Sequence, residues 1–333
     1  MIMHDFSLNS RIGVVVIGRN EGERLISCLH SLIGKAKTIV YVDSGSTDDS
    51  VSHANKLGVQ VVMLDLNVPF TAARARNEGF QQLIKSSPEI DYVQFVDGDC
   101  EVAPNWIAHA SNFLDENTQY AVVCGRRRER YLEKSIFNFM CDSEWDTPIG
   151  DAKACGGDAL MRVKAFQQVG GFRIQLIAGE EPELCLRLRA SGYSIRRLDY
   201  EMTLHDAAMT KFNQWWKRTT RAGYAFAEGA YLHGTAPEKH WVKESRRALV
   251  WGLAIPIVML LIGMFCWQLS MIIAMVYPLQ IIRLALKNKN ESKQHTWKTA
   301  FYNVLGKFAE MYGQLRFYYQ RLLSKPSALI EYK

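Results

Sequence analysis

Short β-branched runs and amphipathic stretches take turns along the first hundred residues of this chain. Gly13 to Gly18 is one run, Thr38 to Val42 a second that ends on Asp43, Val59 to Leu64 a third and Tyr92 to Val96 a fourth. Between them Leu25, Leu29 and Leu32 recur at the spacing of a helix that covers a sheet, and a further helix is predicted over Thr71 to Ile84. Residues Asp43 to Ser50 form a polar turn that hands over to a helix, with Ser46, Thr47 or Asp48 as its cap. Four β-α units in succession predict an α/β fold with a doubly wound, mainly parallel sheet. Farther on, Ala121 to Cys124 reads as another strand, and Pro182 suits the first turn of a helix that stops at Gly192.

In such sheets ligands bind beyond the carboxyl ends of the strands, and Asn20, Asp43, Asp97 and Asp99 all follow strand ends. Asp97 and Asp99 are separated only by Gly98. Carboxylates this close destabilise the fold unless a cation sits between them or their oxygens are hydrogen-bonded, so the pair points to a divalent metal and a phosphate-bearing ligand. A plain Asp-Gly turn is the simpler reading of the same residues. No G-x-G-x-x-G follows the first strand and no G-x-x-x-x-G-K-[ST] occurs anywhere, so dinucleotide dehydrogenases and P-loop enzymes lack their phosphate cradle here.

Composition adds three constraints. With 333 residues, 48% of them hydrophobic, the chain is large enough for two domains or one domain with attachments. Its net charge of +6 lies largely around and beyond a long apolar stretch, which favours a membrane surface over nucleic acid. The seven cysteines are scattered and contain no C-x-x-C pair, which argues against a disulfide framework or zinc ribbon and for a reducing compartment. The residues before Arg11 do not read as a secretory signal, so the globular part is expected in the cytoplasm.

Val14-Val15-Val16-Ile17-Gly18-Arg19-Asn20-Glu21, Val42-Asp43-Ser44-Gly45-Ser46-Thr47-Asp48, Ala75-Arg76-Asn77-Glu78-Gly79 and Asp97-Gly98-Asp99 resemble, in order and spacing, the landmarks of family 2 glycosyltransferases of GT-A fold. The resemblance reaches to about residue 200. It implies a nucleoside pocket lined by Asn20 and Glu21 and closed by Arg76 and Asn77, in which Asp43 accepts the imino N–H of the base. Uracil and guanine both offer that group. Asp97 would face the ribose or sugar, and Asp99 would hold Mg²⁺ or Mn²⁺ on the diphosphate. Gly156, Gly157 and Asp158 resemble the family's glycine-paired loop near the transferred sugar, although turn duty uses the same glycines.

Glu180 and Glu181, read as lying just before a helix N-terminus, stand where the family carries Glu-Asp. Glu181 is then the catalytic base, one methylene longer than usual, with Glu180 beside it near sugar or acceptor; a capping cluster is the structural alternative. His205 resembles a histidine that some GT-A enzymes use as an extra metal or diphosphate contact, and a structural role is the alternative. Phe212 to Arg221 combine aromatics and cations without the Q-x-x-R-W spacing of processive synthases. They read as an acceptor-side helix whose Arg218 or Arg221 meets the leaving diphosphate, or as an interfacial structural helix. The run Arg126-Arg127-Arg128-Glu129-Arg130 is either a solvated charge run or a grip on phosphates.

From Ala248 to Ile282 no residue is charged. At ~1.5 Å per residue this length exceeds one ~30 Å crossing and suffices for two, so a transmembrane hairpin turning near Trp267 to Ser270 is expected. Lys243, Arg246 and Arg247 before it and Arg283, Lys287 and Lys289 after it mark one, cytoplasmic, face. A re-entrant hairpin is the rival. After a polar break over 288–294, Trp297, Phe301, Leu305, Phe308, Tyr312, Leu315, Tyr319 and Leu322 recur at helical spacing among cations, the pattern of a helix lying in the headgroup region, although packing against the globular domain uses the same stripe.

The expected organisation is therefore 1–105, the nucleotide-sugar half; 106–245, the acceptor and catalytic half; 246–287, the hairpin; and 288–333, an amphipathic tail. The resemblance and the hairpin together imply an inverting, metal-dependent transfer from a nucleoside diphosphate sugar, UDP ahead of GDP, to a hydroxyl of a lipid-linked or membrane-proximal glycan. The setting is the cytoplasmic face of the inner membrane and the context surface polysaccharide synthesis, with membrane lipids but no nucleic acid as partners. Two alternatives are transfer to a polyprenyl phosphate and a non-catalytic nucleotide-sugar-binding scaffold. The basic flanks predict that reporters fused after Lys333 and before Arg11 both lie in the cytoplasm. Reporters on opposite sides would mean a single crossing.

Overall fold

The computed structural model describes residues 10–287, 293–324 and 330, so residues 288–292 of the expected polar break and most of 325–333 lie outside it. Contacts divide the chain into two units, one of 1–132, 141–176 and 180–208, the other of 133–140, 177–179 and 209–333.

In the first unit strand β1 (Ile12–Gly18) is flanked by β2 (Thr38–Asp43) and β4 (Tyr92–Asp97), and β3 (Gln60–Met63) lies outside β2. All three pairings are parallel, as the β-α alternation predicts. Val14, Val15 and Val16 are fully buried because helices cover both faces. Helix α1 (Glu23–Leu32) buries Leu25, Cys28, Leu29 and Leu32. The next helix, α2 (Ser50–Lys56), is short, and α3 (Ala72–Ser86) starts at Thr71, whose hydroxyl accepts from the Arg74 amide at 3.1 Å. A Cβ on Gly79 would lie 2.5 Å from Val15 Cγ1 and 2.7 Å from Val42 Cγ2, so a glycine there is what lets α3 lie on the sheet.

Beyond β4 the sheet becomes mixed. The order is β3-β2-β1-β4-β8-β6-β9-β5, from β5 (Cys100–Val102), β6 (Tyr120–Glu129), β8 (Ala159–Arg162) and β9 (Ser194–His205), with the short β7 (Gly150–Asp151) beside β9. Strand β8 is antiparallel to both β4 and β6, whereas β6 and β9 are parallel. Strand β6 runs well past the Ala121–Cys124 expected from the sequence, through the basic run to Glu129. Helices α4 (Trp106–Glu116), α5 (Ile136–Trp145), α6 (Val163–Gln168) and α7 (Glu180–Ala190) follow in chain order. Helix α7 includes Glu180 and Glu181 in its first turn, so they do not precede it as the sequence suggested.

The second unit is helical: α8 (Phe212–His233), α9 (Val242–Gly263), α10 (Trp267–Lys287) and α11 (Lys293–Leu322). Helices α9 and α10 are long and apolar enough to cross a membrane, and almost none of their apolar stretch is buried within the chain. Their turn falls at residues 264–266, a few residues earlier than expected, because Trp267 already begins α10. On α11 the predicted stripe stays largely exposed at Trp297, Phe301, Tyr312, Leu315, Tyr319 and Leu322, while Val304, Met311 and Phe317 are buried.

Helices α8 and α11 approach closely because a Cβ on Gly223 would collide with the Glu310 carbonyl and one on Gly313 with the Thr220 carbonyl. Gly313→Val therefore forces the two backbones apart and should cost about 1–3 kcal/mol. Gly306→Ala, where the new Cβ meets Thr219 Cγ2 and Trp215 Cζ2 at ordinary contact distance, should be tolerated. Thermal unfolding of detergent-purified variants compares them; equal midpoints would contradict the close crossing.

Candidate active site

Strand register assembles the site. Parallel pairing sets Gly18 beside Asp43 and Ile17 beside Asp97, so the acidic strand ends line one edge of the sheet. At that edge Asn20 takes a left-handed backbone conformation (φ 57°), and its side-chain oxygen accepts from the Thr47 amide at 2.7 Å. Glu21 pairs with Arg24 at 2.8 Å. Asp43 is fully buried: Oδ1 accepts from the Tyr41 hydroxyl and Oδ2 from the amides of Gly45 and Ser46. The Asp43 carboxylate thus holds the turn that begins the polar cluster. Burial, then the nearby Asp43 charge, pushes the Tyr41 phenol well above its ordinary range.

Around Asp97 lies a buried charge network. Arg76 reaches Asp97 Oδ1 at 2.7 Å and Glu180 Oε1 at 2.8 Å, while Arg127 reaches Asp97 Oδ2 at 3.2 Å and Asp158 Oδ2 at 2.6 Å. Asp158 has no exposure; it accepts from the Asp97 amide at 3.0 Å and from the Thr203 hydroxyl at 2.8 Å. A Cβ on Gly157 would sit 3.0 Å from both Arg76 Nη2 and Asp97 Oδ2, so the glycine brings backbone against the network. Burial lowers the Arg76 and Arg127 pKa values, but their carboxylate neighbours outweigh it and both guanidinium groups are held firmly protonated.

The two aspartates of Asp97-Gly98-Asp99 part company. Asp99 Oδ2 lies 3.3 Å from His205 Nε2, while His205 Nδ1 faces Glu129 Oε2 at 3.6 Å. Register explains the meeting, because β9 sets His205 opposite Cys100 on one side and Glu129 on the other. Glu129 is itself fixed by the amides of Tyr131 and Ala207. With a proton on Nδ1, the Nε2 lone pair confronts a carboxylate, and a cation between them suits that pair. A carboxylate oxygen with an imidazole nitrogen suits a transition-metal ion such as Mn²⁺ better than Mg²⁺, which takes oxygen donors, so Asp99 and His205 fit a divalent ion.

Glu181 is turned elsewhere. Its Oε1 accepts from the Cys155 amide and, at 3.2 Å, from the Cys185 thiol. Asn77 clasps the Phe172 backbone, donating to its carbonyl at 2.7 Å and accepting from its amide at 2.9 Å. Gly156 adopts φ 80° in the glycine-paired loop. Arg218 and Arg221 belong to the second unit, where Arg221 Nε donates to the Ile177 carbonyl at 2.9 Å. Most of the other expected residues cluster in the first unit.

Sequence reasoning left the basic run unresolved. In the structure none of it is a loose charge run: Arg126 binds Asp142 at 2.7 Å, Arg127 enters the network, Arg128 pairs with Glu201 and Arg130 with Glu101. The run itself carries no polar–apolar alternation to announce this strand, and the strand is irregular there, with register shifts between Cys124 and Arg127.

The mixed, mostly parallel sheet with acidic groups gathered at its strand ends has the fold of GT-A glycosyltransferases of known structure. Residues 13–170 match the model of Glycosyl transferase family 2, and this stretch is a family 2 glycosyltransferase domain. An uncharacterized glycosyltransferase of Rickettsia conorii is 39% identical over 130 residues, 39% of this chain and 40% of that protein's length. The solved structure of the mannosyltransferase PcManGT from Pyrobaculum calidifontis, in complex with GDP-Man and Mn²⁺, covers 92% of this chain and 87% of that one with a TM-score of 0.62 at 17% identity, a likeness of fold.

The network yields a stability prediction. Arg127→Met leaves Asp158 and Asp97 short of a buried partner and should cost about 3–5 kcal/mol. Adding Asp158→Asn should recover part of that loss. Denaturant midpoints of the wild type, both single variants and the double variant form the cycle, and strictly additive losses would show that the pair is not coupled.

Proposed function

We propose that this chain is an inverting, divalent-metal-dependent glycosyltransferase. It moves a sugar from a nucleoside diphosphate, UDP ahead of GDP, to a hydroxyl of a lipid-linked or membrane-proximal glycan at the cytoplasmic face of the inner membrane, in surface polysaccharide synthesis. The observation that carries the reading is the pairing of Asp99 with His205 beside the Asp97 network, at the strand ends of a family 2 domain.

Asp99 and His205 would hold the ion, with Glu129 orienting the imidazole. When bound, the ion offsets diphosphate charge and so eases departure of the leaving group. PcManGT, described with GDP-Man and Mn²⁺, supports a nucleotide sugar and a divalent cation for this chain as well. Asn20, Glu21 and Asp43 form the nucleoside side, where the turn held by Asp43 shapes the pocket. Arg76 and Arg127 fix Asp97 toward the ribose or sugar, and Gly157 lets that sugar approach the loop. The exposed apolar faces of α9 and α10, flanked by Lys243, Arg246, Arg247, Arg283 and Lys287, support a membrane-bound acceptor.

Glu181 is the proposed base. Attack on the anomeric carbon from the face opposite the diphosphate requires the acceptor hydroxyl to lose its proton. With Oε1 anchored by the Cys155 amide and the Cys185 thiol, Oε2 lies outside those bonds and takes the proton. Glu180, tied to buried Arg76, positions the network. Glu181→Gln should bind Mn²⁺ and UDP nearly as the wild type does in calorimetry, while transfer to acceptor falls by ~10²- to 10⁴-fold. Glu180→Gln should retain more activity. Near wild-type turnover by Glu181→Gln, or greater damage from the Glu180 change, would overturn the assignment.

A further inference from the structure

Cys155, Glu181 and Cys185 meet in the interior of the first unit. The two sulfurs are 3.6 Å apart, Cys185 Sγ is 3.2 Å from Glu181 Oε1, and all three ligand atoms lie within 4.8 Å of one another. Cys185 is fully buried, and Cys155 and Glu181 nearly so. Tetrahedral zinc, with bonds of ~2.3 Å to sulfur and ~2.1 Å to oxygen, needs sulfurs about 3.8 Å apart and sulfur to oxygen about 3.6 Å. The two separations from Cys185 Sγ differ from these by a few tenths of an ångström, within reach of small side-chain rotations. A third buried thiol, Cys124, lies close enough to interact electrostatically with Glu181 and Cys185.

We propose that Cys155, Glu181 and Cys185 form a second, thiophilic metal site that takes Zn²⁺ or Cd²⁺, separate from the pair Asp99 and His205, and that its occupation switches transfer off. Ligand softness separates the two sites. Two thiols and a carboxylate make the softer set and favour zinc-like ions, whereas the Asp99 cluster, with one thiol at Cys100 beside its carboxylate and imidazole, gains diphosphate oxygens that suit Mn²⁺. Binding exchanges protons for metal: the ion gains two sulfur bonds and one carboxylate bond, and about two thiol protons leave to solvent per ion. The switching rests on the reading of Glu181 as base, because a carboxylate bound to the ion can no longer accept the acceptor's proton.

The site loop explains how an ion there would be felt. Cys155 immediately precedes Gly156 and Gly157, and Cys185 stands one helical turn after Glu181 on α7. An ion bridging them would pin the glycine loop to the helix that carries the base.

The test is a Cd²⁺ titration of the reduced full chain in detergent, followed by the ultraviolet thiolate-to-cadmium charge-transfer band. A Cys266→Ser background removes the exposed thiol. One equivalent should produce the band, and Cys155→Ser or Cys185→Ser should each abolish it. Cys100→Ser and Asp99→Asn should preserve it, which separates this site from the neighbouring cluster Asp99, Cys100 and His205. Absence of the band in the folded parent, its survival in Cys185→Ser or its loss in Cys100→Ser would overturn the site. With Mn²⁺ in excess, stoichiometric Zn²⁺ should lower transfer by ~10²-fold or more while UDP binding persists, and a chelator should restore it. A band accompanied by undiminished transfer upholds the metal site and overturns the switch together with the base assignment.

Discussion

Asp97 sits between two arginines, and much of the domain is arranged to make that possible. Ionised groups removed from water are stable only when each is paired and hydrogen-bonded. Here Arg76 comes from α3, Arg127 from β6, Asp158 from the glycine loop and Glu180 from α7, so four separate segments converge on the end of β4. Each convergence has a local cause. Gly79 lets α3 lie on the sheet, register shifts between Cys124 and Arg127 re-aim β6, and Gly157 removes the Cβ that would press on Asp97. Loss of one member strands the others, which ties the parallel strands and helices of the first hundred residues to the mixed part of the sheet beyond them.

The same convergence marks the limit of what the chain disclosed before folding. The β-α alternation and the strand-end positions of Asn20, Asp43 and Asp97 were legible because β-branched runs bounded by turn residues signal buried parallel strands. Arg127 and Glu129 were not assigned, because five consecutive polar residues conceal a strand whose hydrophobic period has been replaced by ion pairs. The partners of Arg126, Arg127 and Arg128, which are Asp142, Asp158 and Glu201, come from distant sequence positions, which local patterning cannot supply. Asn77 and Asp43 illustrate a different limit. The resemblance implied ligand contacts for both, and the structure shows in addition that Asn77 holds the Phe172 backbone and Asp43 its own turn. A polar side chain's preference for a ligand over nearby backbone amides depends on geometry that only the fold provides.

In the helical unit the relation between pattern and burial is reversed. The stripe of Trp297, Phe301, Tyr312 and Tyr319, expected in the headgroup region, remains exposed, while Val304, Met311 and Phe317 are buried. Close helix crossing at Gly223 and Gly313 needs little side-chain volume. The large apolar groups are thereby left on the outside, where contiguous exposure of this extent marks a binding or membrane surface.

The shared motif of Asp97 and Asp99 resolves its own repulsion by separation. Gly98 donates its amide to the Ile17 carbonyl at 2.8 Å, and an added Cβ would lie 3.1 Å from that same oxygen, so the residue between the aspartates is pressed onto β1. On either side of this fixed point the carboxylates find different partners. Two guanidinium groups, shared with Glu180 and Asp158, pair with Asp97, whereas Asp99 faces an imidazole at 3.3 Å. A single glycine is enough to divide one acidic motif between a network of guanidinium groups and a pairing with an imidazole.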